Sequence, residues 1–384
     1  MNDLQQLKNQ ATSGDSNAQL LLSKYYLTNN QHDKFNELFT PLLKQGFPPA
    51  LLTKVDLLFQ QSPNQAISFL LELAKFDVPN ANYKLAMLLY FHPELTLDFS
   101  VFLKRSCRLN EIPGIIAACS LYYQLGHYKQ AEALLTQYQH IPQVGELLDA
   151  MQITDNNSIV DVNFSDIKRP KPQQYNVNDI ALEINLFYID NFLTKLECEW
   201  LKIRSKSQLT PAYVVDGKSG EMILDNARSS QYSQLFPSLN DWVLLDIEQR
   251  ISTLVNLPIT HGEVSNVLYY QKSEEYKPHY DFFHPNDAGS NMAMKDGGQR
   301  IKTAICYLEE SKEGGETSFP RLSKQIEGKK GRVVVFSNTD INSNPLPLSL
   351  HQGKPVKVGN KWILTKWYRE KETSYKYNLI KLNL

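Results

Sequence analysis

In the stretch YKPHYDFF, residues 276 to 283, His279 and Asp281 stand two positions apart. That spacing puts both side chains on one face of a strand. Two donors chelate a cation weakly, so the pair needs a third from elsewhere in the chain. The second half holds only four histidines, at 261, 279, 284 and 351. His351, in SLHQGKPV between two strand-like segments, could close the set. Two imidazoles and a carboxylate on one side of a cation leave the opposite positions open, which suits non-haem Fe(II) serving a co-substrate and dioxygen. A structural zinc more often recruits cysteine and fills four positions with protein. Cys306 has no partner cysteine near it in sequence. By itself the triple also fits a bland alternative, a surface His and Asp on an aromatic strand. His261 and His284 read as loop residues.

The elements that must position these residues change character along the chain. In residues 1–150 small residues recur at Ala18, Ala50, Ala81 and Gly114, at intervals of 32, 31 and 33. A large residue follows each by seven: Tyr25, Leu57, Leu88 and Leu121. A period in the low thirties is that of a solenoid of helix pairs. LYYQLGHYKQAEALL reads as one helix, a Gly-His turn and the next helix. Residues 151–178 gather Asn, Asp, Pro and Gln as a linker does, with room for a short strand at SIVDVNF. In residues 179–384, IALEINLFYIDNF opens with strand-like alternation, and two helices come after it, LTKLECEWLKIRSKS behind a Thr cap and LNDWVLLDIEQRISTLVNL behind an Asn or Asp cap. From Val264 strand-like segments dominate: VSNVLYYQ, RIKTAICYLE, GRVVVFSN and KWILTKWYRE. The expected architecture is multidomain, α followed by α+β, with helices on one face of a mainly antiparallel sandwich or barrel.

Bulk properties remove several function classes. The 384 residues suffice for two domains with their own cores, and 40 basic against 41 acidic residues give no electrostatic reason to bind nucleic acid or an anionic membrane. MNDLQQLKNQ lacks the basic and apolar regions of a signal peptide, and no apolar run approaches a membrane span. The four cysteines (107, 119, 198, 306) contain no CxxC pair. The expected compartment is a reducing cytoplasm.

Five segments, YYQKSEEYKPHYDFF, GGQRIKTAICYLEE, EGGETSFP, KKGRVVVFSN and SLHQGKPVKVGNKWILTKW, closely resemble in order and spacing the prolyl 4-hydroxylase family of Fe(II)/2-oxoglutarate dioxygenases. The resemblance covers roughly residues 182 to 370 and includes ARSSQ at 227–231. It implies a double-stranded β-helix (jelly roll), with His279, Asp281 and His351 on the iron ligands. Lys361 falls on the basic residue that pairs with the far carboxylate of 2-oxoglutarate, Tyr270 and Thr317 on hydroxyl donors to it, and Trp362 on the pocket wall. A buried dicarboxylate does need a fixed cation, although a lysine beside a turn is commonly just solvated. Tyr276, Arg300 and Arg228 resemble substrate-facing residues, with Arg300 also counted among the catalytic set; the plainer reading of Arg300 is an ion pair with Glu316 or another local carboxylate. Asp281 keeps the carboxylate whose loss would open a halide site, which implies hydroxylation. The implied cofactors are Fe(II), 2-oxoglutarate and O2, with L-ascorbate as a further candidate. The implied reaction hydroxylates a peptidyl proline in a protein or peptide substrate and yields succinate. Two rivals stand beside it: the same chemistry on a lysyl or asparaginyl side chain or a free amino acid, and a non-catalytic scaffold. The N-terminal half resembles tetratricopeptide and Sel1-like repeats, which implies a concave surface recruiting the substrate, or a purely stabilising role.

Overall fold

The computed structural model describes residues 2–153, 162–212, 214–215, 222–223, 229–236, 241–284, 287–376 and 379. Its contacts form two compact units, Met1–Glu111 and Ile112–Ile380.

The first unit is helical throughout its described secondary structure: Asn2–Thr12, Ser16–Thr28, His32–Lys44, Pro48–Gln61, Pro63–Lys75, Ala81–Phe91 and Phe99–Arg108. The repeat anchors Ala18, Ala50 and Ala81 lie in the first turns of their helices and are buried, as a small residue at a close helix contact must be. The position seven further on is less regular. Leu88 is buried, whereas Tyr25 is 39% exposed, so the first repeat keeps its spacing without its core residue.

The helical rhythm continues into the second unit with Ile112–Gln124, Tyr128–Gln137 and Pro142–Ala150. Gly114 and Leu121 are buried, and Gly126, at φ +79°, makes the expected turn between two of these helices. These three helices fall in the second contact unit, which begins at Ile112. The physical reason is a shared polar cluster. The Gln124 amide donates to Glu197 at 2.9 Å and to Asp246 at 2.8 Å, and Arg250 bridges the same two carboxylates at 2.5 and 2.9 Å. Glu197 lies on helix Lys195–Lys206, Asp246 and Arg250 on helix Trp242–Val255. The caps are as the sequence suggests: Thr194 and Glu197 form a reciprocal capping box, and Asp241 accepts from the Leu244 amide. Of SIVDVNF, residues 158–161 lie outside the described residues, and Phe164 begins a short 3-10 helix, Phe164–Asp166.

Seven strands build the site: β1 (Ser265–Tyr270), β2 (Tyr276–His279), β3 (Arg300–Glu309), β4 (Thr317–Phe319), β5 (Val333–Ser337), β6 (His351–Gly353) and β7 (Lys361–Arg369). The major sheet runs Asn178–Ala181, Leu186–Ile189, β5, β3, β7, β1, Gln231–Leu235, Thr210–Pro211, and the pairs are antiparallel. The minor sheet runs Lys324–Ile326, β4, β6, β2, again antiparallel. Leu268, Ile305, Phe336 and Ile363 of the first share one buried cluster with Phe319 and Ile326 of the second, so the inner faces form a common core. Helix Lys195–Lys206 packs on the major sheet.

Candidate active site

The minor sheet makes the first two donors neighbours. His351 opens β6 directly opposite His279, the last residue of β2, and Asp281 lies two positions beyond that strand. His279 Nε2 lies 3.7 Å from Asp281 Oδ1, His351 Nε2 lies 3.6 Å from Oδ2, and the three candidate donor atoms fall within 4.8 Å of one another. Each imidazole is oriented from behind. His279 Nδ1 sits 2.8 Å from the Lys277 carbonyl and His351 Nδ1 3.0 Å from that of Ser349. A carbonyl only accepts, so Nδ1 carries the proton in both rings and Nε2 keeps the lone pair a metal requires.

Asp281 is buried, which by itself would raise its pKa. In the metal-free protein, positive charge on the His351 and His279 imidazoles when they are protonated, the Arg300 guanidinium and a hydrogen bond from Thr303 outweigh burial and hold the carboxyl at about 2. The segment after Asp281 is clamped by Gln299, whose amide accepts from Phe283 N and donates to Phe283 O, both at 2.7 Å. No sequence signal marks this glutamine beyond its place in GGQR.

A pocket between the sheets, with about 30 Å³ of interior space, is lined by all three members of the triad and by Lys361. Tyr270, Tyr276 and Thr317 line it, with Leu268, Ile305 and Ile363 as apolar wall. Lys361 is 2% exposed. Among the described residues no hydrogen bond or ion pair reaches its ammonium, and the rings of Tyr270 and Tyr307 lie 5.3 Å away. Burial pushes its pKa down to about 8 while Glu316 pulls weakly the other way. A desolvated cation with no direct ion pair among the described residues is costly and is the natural receptor of an anion from outside. The Thr317 hydroxyl shares a 2.6 Å hydrogen bond with Tyr307, a buried tyrosine absent from the expected set.

Three expectations need correction or restriction. Trp362 does not line the cavity; it faces Tyr269, ring centroids 4.4 Å apart. Side chains on β7 alternate, so Lys361, Ile363, Thr365 and Trp367 point into the cavity and Trp362 to the opposite face. Trp367 therefore holds the place expected of Trp362, and counting by twos from Lys361 would have found it. Arg300 is not a lining residue either: its Nε and Nη2 grip Glu263 at 2.6 and 2.8 Å, and it covers the Trp367 ring at 3.9 Å. The ion-pair reading of Arg300 holds, with Glu263 as partner in place of Glu316. Arg228 lies outside the described residues. Tyr276 does border the cavity, stacked on His279 with centroids 3.4 Å apart. His284 is exposed, and His261 accompanies the backbone of Arg369 at 3.2 Å.

Two N donors and one O donor bordering a pocket that also holds an ammonium with no ion pair among the described residues fit Fe(II) together with a dicarboxylate. Residues 265–369 match the model of the 2OG-Fe(II) oxygenase superfamily, the class that this pair of sheets and its His-Asp-His cluster define. Among curated relatives, Prolyl 4-hydroxylase 1 of Arabidopsis thaliana is 34% identical over 203 residues, covering 49% of this chain and 70% of the relative. Prolyl 4-hydroxylase 5 of the same organism is 36% identical over 215 residues, covering 51% and 72%. The chain belongs to the prolyl 4-hydroxylase family of 2OG-Fe(II) oxygenases. Among solved structures, the viral collagen prolyl hydroxylase of Paramecium Bursaria Chlorella virus-1 in its 2OG complex aligns at 30% identity with a TM-score of 0.39, over 48% of this chain and 95% of that one.

Proposed function

We propose that this protein is a dioxygenase that hydroxylates a prolyl residue of a protein or peptide and converts 2-oxoglutarate to succinate. One observation carries the reading: the His279–Asp281–His351 cluster and the buried Lys361, which has no ion pair among the described residues, border a single cavity. Fe(II) bound with 2-oxoglutarate and dioxygen supplies the chemistry, in which loss of carbon dioxide from the keto acid drives transfer of one oxygen atom into a C–H bond. The residues divide the remaining tasks. His279 and His351 present Nε2 lone pairs held by backbone carbonyls, and Asp281 adds the negative charge that offsets the cation. Lys361 receives the far carboxylate, with Tyr270 and Thr317 as neighbouring hydroxyls in the same cavity. Leu268, Ile305 and Ile363 keep bulk water from that end. Tyr276, stacked on His279 at the mouth, is the candidate contact for the substrate's pyrrolidine ring. Arg300, held by Glu263, acts by steadying Trp367 and the charge of Asp281.

We read the two sheets as a double-stranded β-helix, which their antiparallel order and common core support. The helices of residues 2–111 are read as a repeat solenoid that recruits the substrate protein; the periodic burial of Ala18, Ala50 and Ala81 supports the repeat. No helix among the described residues is long and apolar enough to cross a membrane, and four buried free cysteines suit the cytoplasm proposed for it. The test is succinate release with Fe(II) and 2-oxoglutarate on proline-containing and proline-free peptides. Proline-dependent succinate and a 16-dalton gain on proline support the reading; equal succinate from both peptides would sink the choice of substrate.

A further inference from the structure

The ligand carboxylate ends a buried chain of hydrogen bonds. Thr303, on β3, is fully buried, and its hydroxyl lies 2.7 Å from Asp281 Oδ2. Asn338, the residue after β5, places its amide nitrogen 2.9 Å from that same hydroxyl. The protons in this chain can be placed from chemistry. An ionised carboxylate only accepts, so Thr303 gives its single proton to Asp281. The hydroxyl can then only accept from Asn338, which fixes the orientation of the amide. That orientation leaves Asn338 Oδ1 buried without a hydrogen-bond partner among the described residues. The Asn338 backbone is also pinned, its N–H to Ile301 O and its carbonyl to Leu346 N, each at 2.9 Å.

The two oxygens of Asp281 are therefore inequivalent. Oδ2 carries the Thr303 proton, while among the described residues Oδ1 accepts no hydrogen bond. A carboxylate that gave both oxygens to a metal would fill one more position, at the expense of a two-point chelator. We propose that Thr303, oriented by Asn338, is a positioning residue that keeps Asp281 a one-oxygen donor through Oδ1 and so preserves the positions a keto acid occupies. The proposal rests on the Fe(II)/2-oxoglutarate reading of the site.

The test uses the full chain loaded with Mn(II), which binds oxygen and nitrogen donors without turnover. Calorimetry measures Mn(II) binding first and 2-oxoglutarate binding to the loaded protein second. Thr303→Val keeps the shape of the side chain and removes the hydroxyl. The expected result is retained Mn(II) binding with the 2-oxoglutarate Kd raised about tenfold or more, and wild-type affinity restored in Thr303→Ser. An unchanged 2-oxoglutarate Kd in Thr303→Val overturns the proposal. So does a loss of Mn(II) affinity and melting temperature with the Kd of the loaded fraction unchanged, which would make Thr303 merely structural. If Thr303→Val does not fold, Asn338→Ala is read by the same criterion: a raised Kd supports the relay, an unchanged one overturns it. Failure of the wild type to bind Mn(II) would remove the functional reading and the relay with it.

Discussion

At the scale of single residues, Lys361 concentrates the conflict between stability and function. Burial lowers its pKa from 10.5 to about 8. Between those values the unfolded chain holds a proton that the folded chain has released, so stability of the ligand-free protein rises with pH across that window. Below about 8 both states are charged and the full penalty of burial is present. The gain is about 3 kcal/mol at most by linkage, to be read from chemical denaturation at pH 7.5 to 10.5 in wild type against Lys361→Met. In that variant the contribution of Lys361 to the pH slope disappears, the ligand-free protein is more stable by about 1 kcal/mol or more at neutral pH, and 2-oxoglutarate affinity drops about 30-fold or more. Wild-type affinity for 2-oxoglutarate falls as pH passes upward through 8, because the neutral amine no longer attracts the carboxylate. The sequence made this lysine and the three ligands legible through motif spacing. It did not reveal Thr303 or Gln299, whose roles come from bonds to Asp281 and Phe283 made by folding.

At the scale of elements, β7 shows how one position of register decides a role. Lys361 faces inward, so Trp367 lines the cavity and Trp362 the opposite face. Trp362→Phe should leave the 2-oxoglutarate KM within about twofold, whereas Trp367→Ala should lower kcat/KM for the peptide by about tenfold or more through the lost aromatic wall. Steady-state assays with each substrate varied in turn separate the two. The helix beginning after Thr194 offers a stability test. Thr194→Ala removes the cap that the Glu197 amide uses, for about 1 kcal/mol. Arg250→Ala strands Glu197 and Asp246 in the interior and should cost about 3 kcal/mol or more in urea denaturation. The Thr cap was readable from TKLE; the reciprocal bond of Glu197 and its engagement with Gln124 and Arg250 were not.

At the scale of the whole molecule, the division after Glu111 changes where the chain can be shortened. A variant lacking residues 1–111 keeps helix Ile112–Gln124 and its bonds to Glu197 and Asp246; one lacking 1–150 loses them. The longer deletion should therefore melt at clearly lower temperature, by calorimetry, and equal melting temperatures would show that the Gln124 cluster contributes nothing. With the shorter deletion, turnover of a proline peptide should persist, while turnover of the full-length protein substrate should fall if the first helices recruit it.

The order of letters gave the helix caps through local spacing, and the His279–Asp281–His351 set and the candidate cation through the family resemblance of motifs in fixed order. Tertiary structure decided which tryptophan walls the cavity, which carboxylate holds Arg300, which nitrogen of each imidazole stays available and where the units part. Those outcomes depend on side chains tens of positions apart meeting in a dry interior, where an unmet hydrogen bond or unpaired charge costs enough to select one arrangement.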